Sequence, residues 1–100
     1  MTYASNTQVT YTYNFNEDFT QLATIRLQNV SDVSDLFFLT LTDSDLNQQT
    51  ILGTVDGNDI VWIINDFVGV NLTSIVSMDV GALNQGTGIH TTGPLISTAI

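Results

Sequence analysis

Between residues 7 and 15 apolar and polar side chains alternate without a break: Val9, Tyr11, Tyr13 and Phe15 fall on one face, Thr10, Thr12 and Asn14 on the other. A period of two predicts a strand with one covered face. Asn16, Glu17 and Asp18 end it. The pattern resumes over residues 22–30, where Ala23, Ile25 and Leu27 oppose Thr24, Arg26 and Gln28. Residues 31–35, SDVSD, read as a loop. In residues 36–42, Phe37, Leu39 and Leu41 point one way and Leu36 and Phe38 the other, which predicts a central strand or one covered on both faces. Residues 50–55 form the next strand, Asp56-Gly57 signals a turn, and residues 60–67 carry apolar side chains on both faces, with Trp62 expected to be buried. Residues 68–80 predict a long or bent strand, with Leu72, Val76, Met78 and Val80 in phase.

No segment keeps a helical period, and polar turns recur about every 10 to 13 residues, the spacing of short strands in a sandwich or jelly roll. The expected fold is therefore all-β, an antiparallel sandwich or jelly roll of about six to eight strands with extended terminal arms. One hundred residues make one domain. Its core is placed at residues 7–80. From Gly81 the character changes: residues 81–100 hold four of the seven glycines, the only proline and the only histidine. This tail is either a flexible terminus or an arm ordered by packing, and Pro94, Leu95, Ile96 and the residues through Ile100 are apolar enough to form a strand.

Charge narrows the partners. Nine aspartates and Glu17 stand against Arg26 alone, for a formal net charge of −9. Nucleic acid and anionic membrane surfaces both require clustered Lys or Arg, so neither is expected as a partner. Only 11% of residues are charged, well below the usual quarter, and Thr, Ser, Asn and Gln supply 37 residues. A surface of short hydroxyls and amides suits close packing against neighbours, although Thr is also simply a strand former. There is no cysteine, which removes disulfides and thiolate metal sites. The N-terminal residues show no basic region followed by an apolar run, so an extracellular or particle-surface location would be reached without a cleaved signal peptide of the usual kind. On the same ground the sequons Asn29-Val30-Ser31 and Asn71-Leu72-Thr73 read as incidental.

The chemistry-bearing motifs are sparse. Asp43, Asp45 and Asn47 are spaced like the first ligands of a calcium loop, but the sixth and twelfth positions are Gln48 and Thr54 in place of Gly and Glu, so an EF-hand is rejected. A looser calcium site from Asp43, Asp45 and Asn47 with Asp56 or Asp59 remains a candidate, and a turn bent by Asp and Asn side chains is the simpler reading. His90 lies in a Gly- and Thr-rich segment and is expected to be a solvated loop side chain, not a catalytic base. No carboxylate pair stands out by spacing. No cofactor and no enzymatic activity are expected. The aromatic stripe of Tyr11, Tyr13 and Phe15 has the form of a core face, though it could stack on sugar rings.

Edge strands are commonly blunted by lysine, proline or bulges, and here there is no lysine and the only proline is Pro94. The edges must be covered by the chain's own ends or paired with another subunit. The run LFFLTL at residues 36–41, a polar turn, TILGTV at 50–55 and DGND before residues 60–67 resembles the strand succession of small jelly-roll subunits of bacterial endospore appendages. It covers residues 22–80, without a specific motif and without the cysteines that cross-link those subunits. The resemblance implies a self-assembling extracellular filament whose terminal arm reaches into its neighbours. The expectation is thus a structural subunit that pairs with itself, with Tyr11, Tyr13, Phe15, Pro94, Leu95, Ile96 and Ile100 as contact-arm candidates. The alternative is a monomeric module binding carbohydrate or calcium through its Asp-rich turns.

Overall fold

A computed structural model describing Met1–Ile100 resolves the alternation into ten strands. They are β1 (Thr2–Tyr3), β2 (Gln8–Glu17), β3 (Leu22–Leu27), β4 (Leu36–Asp43), β5 (Gln48–Leu52), β6 (Thr54–Asp56), β7 (Asp59–Ile63), β8 (Ile75–Leu83), β9 (His90–Thr91) and β10 (Leu95–Ala99). Two four-stranded antiparallel sheets form a sandwich, one in the order β2-β8-β4-β5 and the other β10-β3-β7-β6, and β1 pairs with β9 in a short ribbon. The expected all-β sandwich is what the chain builds.

Because side chains alternate across a strand, register decides which of them meet. In the first sheet Leu39 lies opposite Val80 and Leu41 opposite Met78. In the second, Ile25 lies opposite Trp62 and Leu27 opposite Ile60. These eight residues are all buried and belong to one core of sixteen. Burying each large side chain contributes about 1.5–3 kcal/mol, which is what holds the two layers together. The ribbon closes one end of the sandwich: Tyr3 sets its ring edge-on to Phe37, with centroids 6.1 Å apart.

One side of the sandwich is also closed. Residues 50–55 do not form a single strand; β5 ends at Leu52 and β6 begins at Thr54 in the opposite sheet. Gly53 is the bend, and its N–H donates to the Phe37 carbonyl at 2.8 Å. A Cβ here would overlap Ile60 and lie 2.9 Å from the Trp62 ring. Trp62 spans the same side, its indole N–H donating to the Ile51 carbonyl at 2.8 Å.

Two other expectations change. Residues 60–67 were expected to be one strand covered on both faces, but β7 stops at Ile63 and a 3₁₀ turn (Ile64–Asp66) follows. Ile63 is 53% exposed, because Val61 and Ile63 fall on the face of β7 that points away from the core, and no third layer covers that face. Residues 68–74 are loop instead of the first half of a strand. Asn71 explains this: its N–H goes to Asp43 and its side-chain oxygen accepts from Thr73, so the Asn71 and Thr73 N–H groups are bound to side chains and not to a ladder. The tail is ordered by packing, since β10 pairs antiparallel with β3 of the same chain.

Candidate functional site

Two of the four buried polar residues, Asp35 and Asn84, gather where β4 begins and β8 ends. Asp32 and Asp35 occupy the turn before β4. Asp32 Oδ1 accepts from the Ser34 N–H at 2.9 Å and from the Ser34 hydroxyl at 2.6 Å, and these bonds hold its carboxyl below the ordinary range. Asp35 turns the other way, under the β1-β9 ribbon, where its side chain is fully buried. A buried carboxylate is costly unless donors surround it. Here the Tyr3 hydroxyl donates to Oδ2 at 2.8 Å, the Gln85 N–H donates to Oδ1 at 3.1 Å, and His90 Nδ1 lies 2.5 Å from Oδ2.

His90 is therefore not a solvated loop side chain. Its imidazole is only 13% exposed and meets the Tyr3 ring edge-on. The hydrogen bond to Asp35 raises its pKa against the opposing effect of burial, and Asp32 adds to the rise. Burial, followed by the Asp35 contact, pushes the Tyr3 hydroxyl far above its usual value. Asn84, also fully buried, completes the surroundings. Its amide N–H group donates to the Tyr3 and Gly88 carbonyls, and its oxygen accepts from the Gly86 N–H at 2.9 Å.

The chemistry open to this cluster follows from the far nitrogen of His90. Nε2 faces Asp32 Oδ2 at 3.9 Å and hydrogen-bonds no serine or threonine hydroxyl, so the carboxylate–imidazole pair lacks the nucleophile of a hydrolytic triad. Asp32, Asp35 and His90 are the one trio of acidic or histidine side chains whose ligand atoms all lie within 4.8 Å of one another. The sequence carried a single faint signal of it, a turn carboxylate at Asp35 placed directly before the apolar run of β4. The contact itself joins residues 55 positions apart.

The calcium candidates are dispersed into separate tasks. Asp43, fully buried, accepts four N–H groups: Asp45 and Asn47 backbone on Oδ1, Asn47 side chain and Asn71 backbone on Oδ2. It organises the β4-β5 turn and the 68–74 loop together. Asp45 and Asn47 are exposed on that turn. Asp56 and Asp59, at the β6-β7 hairpin, both bind Arg26, at 2.9 and 3.0 Å.

The contact-arm candidates lie along the side opposite Gly53. Tyr11 and Tyr13 stand opposite Val80 and Met78 on the inward face of β2, yet each is 42% exposed. Phe15 stacks on Phe19. Leu95 packs on the core, Ile96 points outward, and Ile100 is exposed at the end of the chain. Pro94 precedes β10, its carbonyl accepting from the Gln28 N–H. Between β2 and β10 lies a cleft of about 320 Å³ lined mainly by apolar groups, among them Phe15, Met78, Leu95 and Ile96.

Compared with known proteins, the chain matches no family model, no curated protein and no solved structure, so the resemblance to endospore-appendage subunits rests on the succession of its strands alone.

Proposed function

We propose that this chain is a structural subunit that assembles with copies of itself through the open side of its sandwich. The observation that carries the proposal is the asymmetry of the two sides. One is sealed by the β5-Gly53-β6 crossing and by Trp62. On the other, β2 and β10 are both unpaired edges, and they leave inward-facing Tyr11 and Tyr13 half in solvent. An edge that offers free backbone groups beside uncovered aromatic rings is suited to accept a strand or an edge from a second molecule.

Charge supports an uncharged contact of this kind. Arg26, the sole Lys or Arg residue, is already bound by Asp56 and Asp59, so copies have little with which to form salt bridges to one another. The open side carries mainly Tyr, Phe, Met, Leu, Thr and Ser, with Glu17 and Asp18 only at its end. Where β2 of one copy meets β10 of the next, the contact is head-to-tail and propagates into rings or filaments.

Sedimentation and negative-stain microscopy across a concentration series test this directly. The expected result is concentration-dependent growth into rings or filaments for the wild type. A protein that remains monomeric at millimolar concentration would overturn the proposal.

A further inference from the structure

The imidazole of His90 is held in the way proteins hold a metal ligand. In its neutral form, Nδ1–H donates to Asp35, whose carboxylate is itself fixed by Tyr3 and Gln85. A ring anchored through one nitrogen to a carboxylate presents the lone pair of the other, the arrangement behind most histidine-bound metals. Nε2 is aimed at Asp32 Oδ2, 3.9 Å away. Two ligands each about 2.0–2.2 Å from one ion can span that distance. Asp32 is pre-set as well, because Ser34 occupies its other oxygen.

A second observation concerns space. A methyl group placed on Gly86 would sit 3.3 Å from His90 Cε1, 3.6 Å from Nε2 and 3.7 Å from Asn84 Oδ1. With glycine at position 86 no side chain comes up against the ring nitrogen and the amide oxygen, both of which lie within 3.7 Å of that one point. That oxygen accepts one hydrogen bond, from the Gly86 N–H, and keeps a second lone pair.

We infer that His90 Nε2, Asp32 Oδ2 and Asn84 Oδ1 form a binding site for a divalent transition-metal ion of the zinc class, with Asp35 as the carboxylate that orients the histidine. One imidazole with oxygen ligands suits zinc, nickel or copper, whereas calcium takes oxygen ligands alone. The ion joins the turn before β4 to β9 and to the loop after β8, and so fastens the ribbon that closes the end of the sandwich. This site is separate from the open side and does not depend on self-assembly.

Zinc titration of the full chain tests it, followed by calorimetry and by the ring resonances of His90, which are unambiguous because the chain has one histidine. The expected result is one zinc ion per chain, with saturable shifts of the His90 signals. His90→Gln and Asp32→Asn abolish this binding. Asp35→Asn weakens it by about 10- to 100-fold, as loss of an orienting partner does. Gly86→Ala removes no ligand but sets a methyl within 3.7 Å of both His90 Nε2 and Asn84 Oδ1, and is expected to weaken binding at least tenfold while far-UV circular dichroism stays that of the wild type. His90 signals unmoved by excess zinc, a response to calcium in place of zinc, or wild-type affinity in either Asp32→Asn or Gly86→Ala would each overturn the assignment. Should His90→Gln not fold, Asp32→Asn and Gly86→Ala decide the matter, since Asp32 lies on a partly exposed turn.

Discussion

Asp43 shows how much one side chain can organise. It is fully buried, and its four hydrogen bonds tie the β4-β5 turn to the loop before β8. The Asn71 N–H is the largest influence on it, and with the Asn47 and Asp45 bonds it outweighs burial, so the pKa falls below the ordinary aspartate value. A carboxyl with a depressed folded-state pKa contributes stability that is present above its unfolded pKa and lost as pH falls through the folded one. Urea midpoints measured from neutral pH down through the carboxylate range should therefore drop for the wild type. Asp43→Asn should be less stable at neutral pH, because an amide cannot accept all four donors, and its midpoint should fall less on acidification. Asp79 is the contrary case. One of its carboxylate oxygens is buried without a hydrogen-bond partner, in the central strand β8 between Thr12 and Thr40. Such a group costs about 1–3 kcal/mol, so Asp79→Thr, which suits the strand and its neighbours, should raise stability by on the order of 1 kcal/mol.

At the level of elements, the strands with one covered face were legible because the pleat imposes a period of two on any such segment. β2, β3 and β4 fall close to their expected bounds for that reason. The failures share a cause. Residues 50–55 read as one strand, yet the chain changes sheets at Gly53; the determinant is the tight approach of Ile60 and Trp62, which local pattern does not encode. Residues 68–74 keep apolar residues in phase, but the N–H groups of Gly69, Asn71 and Thr73 are bound by the side chains of Gln49, Asp43 and Asn71. Gly53→Ala isolates the first of these effects. Its Cβ must displace buried Ile60 and Trp62, and overpacking of this kind costs about 1–3 kcal/mol. The urea midpoint should fall accordingly, with altered fluorescence from Trp62, the only tryptophan.

For the whole molecule, the two sides of the sandwich set its expected behaviour. Replacing Tyr11 and Tyr13 together by Ser should prevent assembly while shifting the melting temperature little, since both rings are already half exposed. The net charge of −9 adds a salt dependence of known sign. Like-charged copies repel less as the Debye length shrinks from about 30 Å at 0.01 M to about 8 Å at 0.15 M salt. Assembly monitored by light scattering should thus strengthen with added salt, whereas contacts made of ion pairs would weaken.

The sequence by itself determined the all-β class, which residues share a face in β2, β3 and β4, the burial of Trp62 and the poverty of cationic groups, because these follow from local alternation and from composition. The tertiary structure alone decided which edges stay open, where the chain crosses between sheets, and that Tyr3, Asp32, Asp35, Asn84 and His90 meet. Those contacts join residues as many as 81 positions apart, and no local period records them. They arise only when the sandwich closes and the buried carboxylate of Asp35 must collect every donor within its reach.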